Sequence, residues 1–452
     1  MLLQRKRAAL IGLAVLALST ITPTAEAAEY TTSDVTFGIS GQTTTGTVYA
    51  PPGSQRRPGV VLVHGSGSNT REQYRQFAEA FVAHGIVALV YDKRTVGYSQ
   101  SQRDYSQLAD DALAAFHVLR ERPEVDPARA GLWGLSEGGW VAPLAASRSD
   151  DVAFLITVGA NGGTPSRQQA WAVRERLVRM GVSGSMVDAI ATNGMRQVVH
   201  NGMFPEADYD PVPVLRRLKQ PTLGIWGGKD RLTPPGESLR VFQETVRHHT
   251  LRVFPDAEHA AHRTTTGFER LPELASGYAE LVGSWVNGLP GSAATPSADP
   301  PPHQDTTAGP LRPLAGWETG QVQIAVLAVL LLAFLGYGLS GIVKRWRPKA
   351  NGPAKWLAAG GLAVVLGWLV YAFMLLTNGR LPLGPLVFGR TLPWLGMQLL
   401  SVAVVVLLVL TALGTRRDLA EAGAGARVRR GILLAGGALF VPWAVYWGLL
   451  LP

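Results

Sequence analysis

The chain has 452 residues, a formal net charge of +9 and no cysteine, and its mean hydropathy is +0.12. That length holds one large domain plus further modules, and a positive mean hydropathy implies that part of the chain sits in lipid. Without cysteine, a disulfide framework, a thiolate metal site and a cysteine nucleophile are excluded, and no metal or other cofactor is expected.

The N-terminus places Arg5-Lys6-Arg7 before an apolar stretch, Ala8–Leu18, and then Ala25-Glu26-Ala27. This is the layout of a secretory signal peptide, 1–27. A retained anchor helix is the alternative, but the apolar run is short for a span.

Residues 28–288 read as a globular α/β domain. Strands near Asp34–Ile39 and Thr43–Tyr49, joined by Ser40-Gly41-Gln42, suggest an antiparallel pair. The apolar runs Val60–Val63 and Ile86–Tyr91 suit strands buried on both faces. Between them, Tyr74, Phe77, Ala80 and Phe81 recur at helical spacing within Arg71–His84, completing one βαβ unit. A helix over Leu108–Arg120 and a strand over Ala130–Trp133 begin a second unit. Runs at Phe154–Val158, Thr222–Trp226 and Thr250–Phe254 extend a mostly parallel sheet.

A long insertion, about 164–215, separates two of these strands and has expected helices near Ser166–Met180 and Ser185–His200. Its position over the C-terminal strand ends suggests a lid, with ordinary packing helices as the alternative. Residues 289–320, with Pro300-Pro301-Pro302, read as a semi-rigid extended linker.

Four apolar runs follow, at about 321–343, 355–377, 392–413 and 431–451. Each is near the length that crosses a bilayer, and apart from Lys355 at the start of the second run none holds an Asp, Glu, Lys or Arg. The loops 344–355 and 416–430 are strongly basic. With the signal segment they carry more net positive charge than the whole chain, so the basicity is topogenic and no nucleic-acid partner is expected. Export of residues 28–320 and basic loops inside agree on one orientation. The expectation is a multi-pass protein of the cell membrane with an extracytoplasmic domain and an outside C-terminus. The helices read as an anchor, with transport or lipid presentation as alternatives.

The strongest chemical signal is Gly134-Leu135-Ser136-Glu137-Gly138-Gly139 after an apolar strand. A serine hydroxyl needs exposure on a strained turn beside a base, and flanking glycines let strand and helix approach. Upstream, His64-Gly65-Ser66-Gly67-Ser68 leaves a buried strand and offers backbone donors for a developing oxyanion. The N–H groups of Ser66 and Glu137 are the candidates, with His64 a residue that orders the turn. Asp230 lies in the loop after Thr222–Trp226, and His259 in the loop after the next strand. They are the candidate acid and base, with Asp256 and His262 as rivals. His248 and His249 are expected to face solvent.

These residues resemble the α/β-hydrolase superfamily over about 34–288. The Ser-x-Gly-Gly form is similar to bacterial hydrolases near the dienelactone hydrolases and the catalytic domains of prolyl oligopeptidases. The resemblance implies an α/β-hydrolase fold with a mostly parallel sheet and helical lid, and catalytic residues in the order Ser136, Asp230, His259. Tyr91-Asp92-Lys93-Arg94-Thr95-Val96-Gly97-Tyr98-Ser99 is similar to the family's strand-four loop, with Thr95 in place of a glycine; Ala260 likewise follows His259 where glycine is usual. About thirty residues precede the first βαβ unit, so a peptide-selecting propeller is not expected. The reading is a membrane-anchored serine hydrolase of a small-molecule or lipid-like acyl substrate. Peptidase and acyltransferase activities, and an inactive hydrolase-fold scaffold, are the alternatives.

Overall fold

In a computed structural model, the described residues are 29–99, 101–289, 295–340, 352–378, 384–418 and 423–452. The expected signal segment 1–27 lies outside them, as do 344–351 of the first basic loop and 419–422 of the second.

Strands β1 (Thr31–Ile39) and β2 (Gln42–Ala50) pair antiparallel across the turn Ser40-Gly41. Gly41 takes a φ of 80° there, which a tight strand reversal favours and glycine adopts without steric cost. Strand β2 then pairs antiparallel with β4 (Val87–Tyr91). From β4 onward the pairing is parallel, through β3 (Arg57–Val63), β5 (Val125–Leu135), β6 (Leu155–Val158), β7 (Thr222–Gly227) and β8 (His249–Phe254). The continuous apolar strands are buried because helices cover both faces.

On one face, α1 (Arg75–Val82) and α9 (Tyr278–Gly288) pack Phe77, Phe81 and Tyr278 against Trp133, whose indole N–H donates to the Tyr278 hydroxyl at 2.9 Å. On the other, α2 (Tyr105–Arg120), α3 (Gly138–Ala146) and α8 (Pro235–Thr245) bury Phe116, Trp140 and Phe242. The start of α2 is fixed by Asp104, whose carboxylate accepts from the N–H groups of Ser106 and Gln107.

The insertion forms α4 (Pro165–Arg179), α5 (Ser185–Asp188), a π-helical turn (Ala189–Gly194), α6 (Met195–His200) and α7 (Val212–Leu215). It does not stand free. Leu177, Val182, Met186 and Val187 are buried in one cluster with Trp443, Trp447 and Leu449 from the C-terminal helices. Asn193 donates to the Tyr446 carbonyl at 2.8 Å, and Arg196 grips Glu318 through two hydrogen bonds of 2.9 and 2.6 Å.

The linker departs from the extended spacer expected of its composition. Ser297–Ala298 adds a ninth strand, β9, beside β8. Beyond it, Trp171 donates to the Thr306 carbonyl at 2.9 Å, Arg167 binds the Ala308 carbonyl, and Gln304 donates to Glu237 at 3.0 Å. Proline supplies no N–H, but its neighbours' carbonyls accept from side chains of α4, so the segment is strapped to the domain.

Four helices are long and apolar enough to cross a membrane: α10 (Gly320–Ser340), α11 (Gly352–Asn378), α12 (Leu392–Asp418) and α13 (Ala424–Tyr446). These helices suggest membrane insertion. Their bounds correct the sequence reading at the basic loops. Lys355 stands in the first turn of α11, and Arg427, Arg429 and Arg430 lie within α13, which ends at Tyr446 rather than 451. Arg429 is buried because it donates to the Tyr337 carbonyl of α10 at 2.7 Å and covers the Tyr337 ring at 3.8 Å. A helix C-terminus leaves carbonyls unpaired, and a cation satisfies them.

Because the insertion shares its core with the bundle, residues 29–289 produced alone would expose four apolar side chains that each contribute about 1.5–3 kcal/mol when buried. We expect that fragment to aggregate, or to melt roughly 10 °C below the same domain in the full chain, measured by temperature-dependent proteolysis in detergent.

Candidate active site

Ser136 sits between β5 and α3 with φ of 57°, a left-handed conformation that costs a non-glycine residue on the order of 1–3 kcal/mol. Two contacts enforce it. The Ser136 N–H donates to the Val158 carbonyl at 3.0 Å, and its own carbonyl accepts from Gly139 N–H at 2.8 Å. A Cβ on Gly134 would lie 2.1 Å from the Gly138 carbonyl oxygen, so the turn is tight enough to exclude side chains there.

Asp230 is fully buried in the loop after β7. Its Oδ1 accepts from the N–H groups of Leu232 and Thr233 at 2.8 and 2.9 Å, which leaves Oδ2 for the His259 ring at 2.8 Å from Nδ1. Burial lowers the His259 pKa, but the Asp230 charge and hydrogen bond more than offset it, so the pKa stands above its ordinary value. The ring lies over Gly159, where a Cβ would come within 2.8 Å of its Cε1 and Nδ1. Gly159 follows Val158, the residue whose carbonyl holds Ser136. His259 is thus brought beside the elbow, although no hydrogen bond joins it to the Ser136 hydroxyl among the described residues. Such bonds are often long before substrate arrives.

The rival residues lie elsewhere. His262 Nδ1 bonds the Leu271 carbonyl at 3.1 Å, its ring meets Phe77, and burial holds its pKa down. Asp256 is exposed and paired with Lys229 at 2.8 Å. His64 is enclosed edge-on by Tyr74 and Tyr91, and burial, then Lys93, pushes its pKa down to about 3. His249 is a correction: it opens β8 and is buried, with Nδ1 bonded to the Val246 carbonyl at 2.7 Å.

The expected donors Ser66 and Glu137 lie on facing loops, and neither backbone N–H makes a hydrogen bond among the described residues. What sequence reasoning missed is how these loops are joined. The Glu137 side chain, 1% exposed, accepts from Lys93 at 2.6 Å, Tyr98 at 2.8 Å and Arg103 at 2.8 Å. Lys93 also donates to the Gly65 carbonyl at 2.7 Å, and the Tyr98 hydroxyl accepts from Gly67 N–H at 2.9 Å. Burial pulls the Lys93 pKa below its ordinary value, with Glu137 opposing. Beside this cluster, Arg94 forms a separate buried pair with Asp111 at 2.5 Å and 2.8 Å. The sequence offered no signal that singles out Lys93 within the stretch after β4.

The insertion roots near the same cluster. Tyr105 N–H donates to Glu206 at 3.1 Å, the Arg103 guanidinium lies 5.7 Å from the Phe204 ring, and Tyr105 stacks on Trp140 of α3. Among the described residues, no group of three or more His, Asp or Glu side chains is arranged to hold a metal.

Replacing Lys93 by Met leaves Glu137 with Arg103 and Tyr98 but removes the tie to Gly65. Breaking a buried pair typically costs about 3 kcal/mol or more. Part of that is retained here through Arg103, so we expect a loss of about 2 kcal/mol, read from denaturant unfolding of the full chain in detergent.

A family model described as serine aminopeptidase, S33, matches residues 54–195, and one described as alpha/beta hydrolase fold matches 187–264. The chain is 30% identical over 207 residues to a polyketide transferase, grgF, of Penicillium sp, covering 42% of this chain and 69% of that protein. It is 26% identical over 243 residues to the esterase EstD of Thermotoga maritima, covering 47% and 57%. It is 32% identical over 128 residues to the quorum-quenching protein AidA of Acinetobacter baumannii, covering 27% and 42%. The chain therefore spans about half the length of the latter two relatives. With the parallel sheet, the strained serine turn and the buried Asp–His pair already in view, these matches establish that the chain belongs to the α/β-hydrolase family.

Proposed function

We propose that this protein is a serine hydrolase that cleaves an ester or related acyl bond through an acyl-enzyme. The observation that carries this reading is the His259 ring, oriented by fully buried Asp230 and set against the residue that follows Val158, Ser136's own anchor. Ser136 Oγ attacks the carbonyl carbon while His259 Nε2 takes its proton. The backbone N–H groups of Ser66 and Glu137 stabilise the oxyanion, and His259 returns the proton to the leaving group. Water, activated by the same ring, then releases the acid. The esterase named among the relatives supports this substrate class. Acyl transfer to an acceptor other than water is the second reading, favoured by the relatives named polyketide transferases.

In this reading residues 1–27 direct export, 28–288 form the enzyme, and the four helices tether it. The sidedness rests on charge. Lys355, Arg427, Arg429 and Arg430 stand at the helix ends away from the insertion, and basic ends stay in the cytoplasm. The catalytic domain is then extracytoplasmic.

Full-length protein in detergent is expected to hydrolyse p-nitrophenyl butyrate, with Ser136→Ala losing about a thousandfold or more in kcat; equal rates would end the proposal. His259 acts as a base only when neutral, and its pKa is raised, so activity should fall as pH drops through a midpoint above the ordinary histidine value of about 6.5. Asp230→Asn should move that midpoint down. A membrane-impermeant fluorophosphonate should label Ser136 on intact cells; labelling that requires lysis would reverse the proposed orientation.

A further inference from the structure

The insertion over the candidate site ends at the level where the apolar helices begin. Ser183 N–H donates to the Gly389 carbonyl and Ser185 N–H to the Pro452 carbonyl, both at 2.9 Å. Gly389 belongs to a hairpin, β10 (Leu386–Val387) and β11 (Arg390–Thr391), that joins α11 to α12. Gln398 of α12 reaches the Ser185 hydroxyl, at 3.3 Å.

Around this junction large apolar side chains point outward. Phe388, at the hairpin tip, is 86% exposed, Leu392 50%, Val178 47% and Met180 41%. Scattered exposed apolar residues need no explanation, but these flank the ends of bilayer-length helices, where side chains meet headgroups rather than water. Exposed Arg176 lies one helical turn before Met180 and supplies a cation for lipid phosphate at the same level.

The candidate site is close to this layer. Asn201 lies against Gly320, the first residue of α10, where a Cβ would come within 2.5 Å of its Oδ1. Three residues later, Phe204 meets Arg103, which holds Glu137 next to Ser136. Three residues of chain span at most about 11 Å.

We propose that the end of α4 and the hairpin tip are embedded in the headgroup layer, and that the substrate is a membrane-resident acyl amphiphile that reaches Ser136 from the bilayer surface. The substrate half of this inference rests on the serine-hydrolase reading above. The contact half does not.

The native chain has no cysteine, so Met180→Cys, Phe388→Cys and Asp150→Cys can each be labelled singly with an environment-sensitive fluorophore in nanodiscs of phosphatidylglycerol and phosphatidylcholine. Asp150 is exposed in the loop between α3 and β6, at the sheet end opposite Ser136. Lipids carrying a nitroxide at the headgroup are expected to quench the label at 180 and 388 but not at 150. Quenching at 180 and 388 no greater than at 150 overturns the contact.

For the substrate, Met180→Ser combined with Phe388→Ser is expected to lower hydrolysis of bilayer-embedded 4-methylumbelliferyl oleate about tenfold, with p-nitrophenyl acetate hydrolysis in water unchanged. Equal effects on both esters, no effect on either, or an uncleaved oleate beside a cleaved acetate overturns it. If wild-type protein cleaves neither ester, the serine-hydrolase reading fails, and the quenching result still decides the membrane contact.

Discussion

A carboxylate withdrawn almost wholly from water requires its charge to be met by donors held in place, and Glu137 imposes that requirement at the centre of this molecule. Its three donors come from the loop after β4 and the segment before α2, and two of them also grip the loop after β3. Two segments, the loop after β3 and the stretch that runs from β4 to α2, are therefore fixed around the residue that follows Ser136. The strained elbow persists because these contacts and the glycine-lined approach of α3 to β5 leave it no other conformation. Arg103 carries the constraint outward to Phe204, the point where the insertion meets the hydrolase domain.

The insertion in turn packs into the helix bundle. One apolar cluster contains side chains of α4 and α5 together with Trp443 and Trp447. The linker, too, is fixed, by Trp171 and Arg167 on one side and the Arg196–Glu318 pair on the other. The enzyme-like domain and the apolar helices thus meet through a shared core, and the arrangement of one limits the motion of the other. Moving the insertion away from the bundle would break the hydrogen bonds of Ser183 to the Gly389 carbonyl and of Ser185 to the Pro452 carbonyl.

The departures from the sequence reading share a cause. Polyproline composition signals an extended segment, but carries no information on whether neighbouring side chains will donate to its carbonyls. The arginines of α13 look like a loop because their charge is unfavourable in lipid; Arg429 is helical since the Tyr337 carbonyl and ring receive it. His249 looks like surface beside His248, but it opens β8, whose first three residues are all buried, and its Nδ1 bonds the Val246 carbonyl.

The sequence by itself determined the elements whose signals are local. Continuous apolar runs marked the buried strands and, by their length, the four long helices, the glycines around Ser136 marked the elbow, and chain order singled out Asp230 and His259, because short-range sterics and runs of hydrophobic residues are written in adjacent residues. Only the tertiary structure decided that Asp230 faces His259 while Asp256 faces Lys229, that Lys93 joins Glu137 to Gly65, and that the insertion and linker are packed against their neighbours. Those contacts join residues tens to hundreds of positions apart, and their partners are chosen by the geometry of the assembled sheet and bundle, which no local pattern encodes.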